Sequence, residues 1–178
     1  QPVATPSADF LDPRSYSTYS YTKGSVFFYM LRELMGWDDF RRALRHYYET
    51  NKFEHVTEYD LQLAMETVHG SDLSWFFRQW LHTTDRLDYE LRSAVTRPGD
   101  EGGWITELTV SRSGEVWMPV TAEIGDVRVT LASRAPVQTV RVMTPERPGE
   151  AVLDPDGALL EIRKDNNRAP VEAGEPWP

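Results

Sequence analysis

Residues 21–36 read YTKGSVFFYMLRELMG, and apolar side chains recur in this stretch every three or four positions. Four of them share one face of a helical projection: Phe27, Met30, Leu31 and Leu34. This spacing predicts a helix from about Ser17 to Met35. Val26, Phe28 and Tyr29 add apolar surface on its other faces, so we expect the helix to be buried on most sides. Gly36 suits its C-terminal cap, since glycine adopts a positive φ at little cost.

Residues 1 to about 15 are predicted to form an irregular lead-in to the first helix. Helical spacing continues after that helix to about residue 84 and predicts three more helices. The second should bury one stripe, which comprises Trp37, Phe40, Leu44, Tyr47 and Tyr48. The third should begin at Thr57, because Thr57 and Asp60 are spaced as a capping box, and should end at Gly70. The fourth should start at Ser71 or Asp72 and turn these residues inward: Leu73, Phe76, Phe77, Trp80 and Leu81. Short connections favour an antiparallel α-helical bundle over residues 1–84.

After residue 84 the apolar pattern changes to alternation, which is typical of strands. One run has alternating apolar positions at Val116, Met118, Val120, Ala122 and Ile124, and the first run places Tyr89, Leu91, Ser93 and Val95 on one face. About seven such runs, the last over residues 159–162, predict an immunoglobulin-like antiparallel β-sandwich over residues 85–167. Residues 168–178 contain three prolines and are expected to form a flexible tail. The predicted fold class is therefore α+β.

Composition excludes several classes of function. The chain has 28 acidic and 19 basic residues, a net charge of -9, and no basic cluster large enough to predict nucleic-acid binding. No apolar run reaches about 18 residues, so no membrane span is expected. Cysteine is absent, which excludes disulfides, thiolate zinc sites and cysteine nucleophiles. The first residue is Gln1 rather than methionine, which favours a processed chain or a piece of a longer protein.

Most residues of types used in catalysis have a structural interpretation. None of the four histidines stands in an H-E-x-x-H motif. His46 and His55 are nine residues apart and His69 and His82 are thirteen apart, so neither pair places two imidazoles on one helical turn. No metal site is therefore predicted in this chain. Ser25 lies in an apolar helical run, which favours packing. The paired carboxylates at positions 38–39 and at positions 154 and 156 suit a helix start and a turn.

Residues 16–24 read YSTYSYTKG and are less ordinary. Tyr16, Tyr19 and Tyr21 open a helix that is expected to be buried, and Lys23 and Gly24 follow at once. A phenol near a helix start can donate a hydrogen bond to a developing oxyanion. From composition alone, packing in a core or an interface is the favoured interpretation of these tyrosines.

The stretch from Tyr21 to Gly36 resembles the Y-x-K-G helix of the zinc aminopeptidases of family M1, the gluzincins typified by aminopeptidase N and leukotriene A4 hydrolase. Residues 40–48 resemble the next helix of that family, and residues 53–60 its next helix boundary. Residues 70–80, GSDLSWFFRQW, are similar to its G-x-D-L-x-W-F-F-x-x-W segment. The resemblance covers residues 9–84 and continues more loosely through residues 114–119 and 153–167.

This resemblance implies the back part of a metallopeptidase catalytic domain followed by its β-sandwich. The family holds zinc with H-E-x-x-H and a later glutamate, all upstream of the Y-x-K-G helix, so zinc is expected in the parent protein and no cofactor in this piece. Tyr21 matches the family's oxyanion-binding tyrosine and is the predicted catalytic residue. Tyr16 lies where the leukotriene hydrolase branch has a second site tyrosine. The implied partners are the upstream catalytic half and a peptide substrate.

Three hypotheses follow. The first is a C-terminal piece of a zinc metallopeptidase, an aminopeptidase, that is inactive alone because it lacks the zinc site. The second is a non-catalytic scaffold derived from the same family. The third is a binding module for carbohydrate or protein on the sandwich, with Trp104 and Trp117 as platforms, although their strand positions favour burial. The sequence leaves the compartment open, with an exported bacterial protein as one hypothesis.

Overall fold

The computed structural model of the chain describes residues 1–175, and the chain divides into two compact units between Asp85 and Arg86. The first unit is helical and the second is built of two β-sheets. The predicted α+β class, with an N-terminal helical part and a β-sandwich, is confirmed. In the described part of the chain, no helix has the length and apolar character that a bilayer crossing requires.

The helical unit begins earlier than the spacing predicts. Its elements are a 3-10 turn at Ser7–Asp9, α1 (Pro13–Tyr16), a π-helical segment (Ser17–Lys23), α2 (Gly24–Met35), α3 (Trp37–Asn51), α4 (Glu58–His69) and α5 (Ser74–Leu81). Helix therefore starts at Pro13, inside the predicted irregular lead-in. The cause is local: the Asp12 carboxylate accepts a hydrogen bond from the Ser15 N–H at 2.7 Å, and proline occupies the first helical position.

The core of the helical unit is aromatic where α2 packs against α5. The Phe27 ring centroid lies 5.0 Å from that of Phe76 and 5.2 Å from that of Phe77. The inward face predicted for the fourth helix is confirmed, since all of its members are buried: Leu73, Phe76, Phe77, Trp80 and Leu81. Helix α5 is thus the most deeply buried element of this unit.

Two expectations about helical faces are wrong. Helix α2 is buried on one face rather than on most sides, because Phe28 and Tyr29 are 40% and 37% exposed. Within the predicted stripe of α3, Phe40 is buried but Trp37 and Tyr48 are 60% and 64% exposed. Both helices therefore carry more apolar surface than the helical unit covers.

The predicted ends of α4 are confirmed. The Asp60 carboxylate accepts hydrogen bonds from the Thr57 N–H at 2.7 Å and from the Thr57 hydroxyl at 2.8 Å. Gly70 ends the helix with a φ of 76°, a value that glycine adopts without strain. Helix α5 begins at Ser74, slightly later than predicted, and the Asp72 carboxylate accepts from the Ser74 N–H at 3.0 Å.

The second unit is a sandwich of two four-stranded sheets. Its strands are β1 (Asp88–Pro98), β2 (Trp104–Ser113), β3 (Val120–Ile124), β4 (Val127–Leu131), β5 (Val137–Thr144), β6 (Glu150–Leu153), β7 (Arg168–Pro170) and β8 (Glu172–Ala173). One sheet has the order β5-β2-β1-β8 and the other β4-β3-β6-β7. The strand pairs are antiparallel, except that β8 runs parallel to β1.

The predicted alternation holds along β3 and fails in β1. The run leading into and through β3 is at most 2% exposed at each alternate position: Val116, Met118, Val120, Ala122 and Ile124. In β1 a register shift between Leu91 and Ser93 marks a bulge. Since one extra residue moves the following side chains to the opposite face, Ala94 is buried in place of Ser93 and Val95.

Two segments near the C-terminus differ from the prediction. Residues 159–162 form no strand, and Ile162 is 55% exposed. The expected flexible tail instead provides β7 and β8, because its backbone pairs with strands that are distant in sequence. Val171 is buried between them, and its N–H donates to the Gly149 carbonyl at 3.0 Å. Residues 176–178 of the predicted tail lie outside the described residues.

Candidate functional site

The candidate site is built on the π-helical segment, Ser17–Lys23. Backbone hydrogen bonds in a π-helix span five residues rather than four, and such segments are frequent at functional sites. None of its residues is buried, so the expectation that these tyrosines open a buried helix is wrong. The segment continues directly into α2, and the Ser25 hydroxyl donates to the Tyr21 carbonyl at 2.7 Å. The tyrosines therefore lie on the surface of this unit, on helical backbone.

The wider turn brings Tyr16 and Tyr21 together. Residues five apart on an α-helix point about 140° away from each other, whereas π-helical winding stacks them on one side. The two ring centroids are 5.8 Å apart and the rings meet edge to face at 83°. A hydrogen bond with Tyr21, and repulsion between the two charged forms, raise the pKa of Tyr16. Tyr21 remains 63% exposed, so its phenol can reach a ligand.

A surface depression of about 500 Å³ lies beside this pair. It is lined by Ser7, Phe10, Leu11, Asp12, Pro13 and Tyr16. The Phe10 ring supports Tyr16 edge to face, with centroids 5.4 Å apart. The depression is thus largely apolar, with the Tyr16 phenol and the Asp12 carboxylate among the groups that surround it.

The residues present do not fit a zinc site. Across residues 1–175, no three His, Cys, Asp or Glu side chains come together as a metal-binding group. His82 and Glu58 are hydrogen-bonded to each other, but both are about half exposed. A tetrahedral zinc site needs three or four such ligands.

The other candidate residues have structural roles. Ser25 is engaged with the backbone of its own helix. Asp39 pairs with Arg42 at 2.6 Å in the first turn of α3. The Asp154 carboxylate accepts from the backbone N–H groups of residues 158 and 159 at 2.8 and 3.1 Å, and Asp156 pairs with Arg128 at 2.8 Å. These contacts account for the paired carboxylates without a catalytic role.

The two tryptophans proposed as platforms are half-buried rather than in the core. The Arg134 guanidinium lies 4.8 Å from the Trp117 ring centroid, and the Trp117 indole N–H donates to the Ser133 carbonyl at 2.9 Å. The Arg147 guanidinium lies 5.7 Å from the Trp104 ring centroid. Arginine therefore lies over one face of each indole.

The sequence analysis did not predict the π-helical segment that brings Tyr16 and Tyr21 together. Their five-residue spacing is out of phase for an α-helix, and this mismatch was the available signal for a π segment. The D-P-R-S sequence at residues 12–15 was the available signal for the early helix start. Together these signals place Tyr16 inside the helix rather than before it.

Comparison with known proteins relates the helical unit to one enzyme family. Residues 7–80 match the family model described as the peptidase family M1 domain. Over 65 residues the chain is 35% identical to aminopeptidase N of Lactobacillus helveticus and 34% identical to aminopeptidase N of Lactococcus lactis subsp. lactis. Each alignment covers 36% of this chain, which spans 8% of the length of either relative.

A solved structure extends the similarity in fold to both units. The crystal structure of Legionella pneumophila aminopeptidase A in complex with aspartic acid matches with a TM-score of 0.58 and 17% sequence identity. The match covers 93% of this chain and 19% of that protein. At this identity the likeness concerns the fold alone.

Proposed function

Because residues 7–80 match the model of the peptidase family M1 domain, we propose that this chain is part of a zinc metallopeptidase that acts as an aminopeptidase. In this proposal Tyr21 donates a hydrogen bond to the oxyanion that forms when the scissile carbonyl of a peptide is attacked. The observation that carries the proposal is the exposed Tyr21 phenol, held on helical backbone and paired with Tyr16.

The physical argument rests on preorganisation. A phenol O–H aimed at the position of a developing negative charge stabilises the transition state more than the ground state. No residue of the segment that contains Tyr21 is buried, but the continuous helix α2 and the ring of Tyr16 restrict the position of Tyr21. The donor therefore needs little reorganisation during the reaction.

The helical unit is incomplete as a catalytic domain. Its described residues contain no group of three or more His, Cys, Asp or Glu side chains that could hold a metal, so this proposal assigns the zinc and the activated water to the rest of the protein. Its exposed apolar side chains suit burial against that upstream half, and Phe53, Leu11 and Tyr48 are the most exposed, at 98%, 82% and 64%. The chain alone is accordingly inactive and supplies one wall of the cleft.

The test uses the full-length protein that contains this chain. Tyr21→Phe should lower kcat by roughly 10²- to 10³-fold, the loss that is typical of one oxyanion donor, with a much smaller change in KM. Tyr59→Phe is the matched control, because Tyr59 is also 63% exposed in the same unit but lies on α4. It should retain full turnover.

Two outcomes would contradict parts of the proposal. Near-normal turnover by Tyr21→Phe would remove the role of Tyr21. Absence of peptide hydrolysis by the unsubstituted full-length protein, with zinc supplied, would favour the alternative of a non-catalytic scaffold from the same family.

A further inference from the structure

Lys23 connects the exposed π-helical segment to the buried helix α5. It is the last residue of the segment, and its Nζ donates to the Thr83 carbonyl at 3.1 Å across sixty residues of sequence. The Lys23 side chain is only partly exposed, and burial lowers its pKa while the charge of Asp85 acts in the opposite direction. The ammonium is thus held against the backbone that follows α5.

The acceptor of this hydrogen bond is itself well held. The Thr83 hydroxyl donates to the Gln79 carbonyl at 2.8 Å and accepts from the Asp85 N–H at 3.1 Å. Thr83 follows the last turn of α5, where carbonyl groups lack helical partners and a cation is favoured by the helix dipole. Helix α5 in turn is fixed by buried aromatic side chains such as Phe76 and Phe77.

The π-helical segment needs such a connection. None of its side chains is fully buried, so core packing contributes little to selecting its wide turn over ordinary α-helical winding. Without the connection, relaxation to α-helical winding would turn Tyr21 away from Tyr16, because residues five apart diverge on an α-helix. Tyr21 lies two residues from Lys23 and would move with it.

We propose that Lys23 is a positioning residue for Tyr21, which holds the π turn in register through its hydrogen bond to the Thr83 carbonyl. This role rests on the proposed function of Tyr21 as an oxyanion donor. Lys23 touches neither substrate nor reacting atoms in this assignment. Its effect is on the direction of the Tyr21 phenol.

The kinetic test compares single and double variants of the full-length protein. Lys23→Met should lower kcat by about 10- to 100-fold with KM changed less than about twofold, as expected for a misdirected catalytic group. Lys23→Arg, which keeps a donor and a charge, should recover most of the loss. In a Tyr21→Phe background, Lys23→Met should have little further effect, because the group that it positions is already absent. Lys52→Met, at an exposed lysine after α3, is the control.

The outcomes separate this inference from the proposed function. A slow Tyr21→Phe variant with a fully active Lys23→Met variant overturns the role of Lys23 alone. A fully active Tyr21→Phe variant overturns the proposed function first. If Lys23→Met slows the enzyme by the same factor with and without the Tyr21 hydroxyl, Lys23 acts independently of Tyr21 and the inference fails.

A measurement on residues 1–178 avoids dependence on activity. The Tyr16 ring lies edge to face with Tyr21, so it shifts the aromatic proton resonances of Tyr21. In Lys23→Met those resonances should move to the values of an exposed tyrosine such as Tyr59, while the resonances of buried Phe76 stay unchanged. Unchanged Tyr21 resonances in a folded Lys23→Met chain would overturn the inference.

Discussion

The β-sandwich and the helical unit differ in how completely they cover their apolar residues. Among the described residues, the large apolar side chains that the sandwich exposes are all aliphatic: Val137, Met143, Leu160 and Ile162. Every exposed aromatic residue between positions 1 and 175 lies in the helical unit: Tyr16, Tyr21, Phe28, Tyr29, Trp37, Tyr48, Phe53 and Tyr59. The sandwich thus completes its own core, whereas the helical unit keeps an aromatic surface that suits a partner.

The pKa values of carboxylates are shifted in opposite directions in the two units. Asp12 and Asp60 of the helical unit cap helix starts, and hydrogen bonds from backbone N–H groups lower their pKa values. Asp154 and Glu161 of the sandwich are largely buried, and burial raises their pKa values. Burial therefore acts on these two acids of the sandwich in the direction opposite to the effect of capping on the two acids of the helical unit.

The largest expected change in the free energy of unfolding comes from a buried phenylalanine of the helical unit, and an exposed one is its control. Phe76→Ala should destabilise the chain by about 3–5 kcal/mol, because it leaves a cavity beside Phe27 and Phe77. Phe53→Ala should change the free energy of unfolding by less than about 0.5 kcal/mol, since Phe53 is 98% exposed. Urea unfolding followed by circular dichroism at 222 nm measures both. Equal losses for the two variants would show that the aromatic surface is covered within the chain itself.

The next largest effect is the pH dependence of folding stability that Glu161 gives to the sandwich. The Glu161 carboxylate accepts from the Tyr89 N–H at 2.9 Å and from the Asn167 amide at 2.6 Å, and burial raises the pKa of Glu161 to about 7. Because this folded-state pKa exceeds the ordinary value of 4.5, Glu161 favours folding most below pH 4.5 and loses that contribution as pH rises through 7. The loss is at most about 3 kcal/mol. Urea unfolding between pH 4 and pH 8 measures it.

Glu161→Gln provides the comparison for this pH effect. The amide does not titrate, so the difference in stability between wild type and Glu161→Gln should change with pH over this range. Glu172→Gln, at an exposed position of the same unit, should follow the wild-type curve. The helical caps should respond in the opposite direction, since lowered pKa values make their contribution disappear as pH falls below about 4. Parallel wild-type and Glu161→Gln curves would contradict the assignment.

The smallest effect is a gain of stability in the helical unit. Gly24 has an ordinary helical φ of −60°, and no atom lies within 4 Å of the position that a Cβ would take. Gly24→Ala should therefore stabilise the chain by about 0.5–1 kcal/mol. Gly36→Ala is the matched control and should destabilise it, because Gly36 has a φ of 80°. A loss of stability in Gly24→Ala would indicate a close neighbour at that face, and thermal unfolding distinguishes these results.

The sequence predicted best those features that depend on neighbouring residues. The capping of α4 by Thr57 and Asp60, its end at Gly70 and the burial of α5 required only local spacing. The bulge after Leu91 and the pairing of residues 168–173 could not be predicted, because both depend on contacts with distant strands. The exposure of α3 was missed because an apolar stripe indicates burial without indicating which partner provides it.

For the candidate site, the sequence identified Tyr21 but did not predict how the side chains around it are arranged. The Y-x-K-G pattern selected Tyr21, and its role stays a prediction. The pairing with Tyr16 depends on a local departure from α-helical winding, which residue spacing alone does not specify. The partner of Lys23 lies sixty residues away and required the tertiary structure.

The wide turn of the π-helical segment has a consequence for changes in chain length. A helix that holds one surplus residue as a π turn can lose that residue and return to α-helical winding without rotating its two ends against each other. Deletion of Thr18 would leave Tyr16 and Tyr21 four positions apart, which is a facing pair on an α-helix. Deletion of Val26, inside α2 and before Phe27, would instead turn both phenols by about 100° relative to Phe27. In helix 13–35, shortening at the π turn is therefore tolerated where shortening in α2 is not.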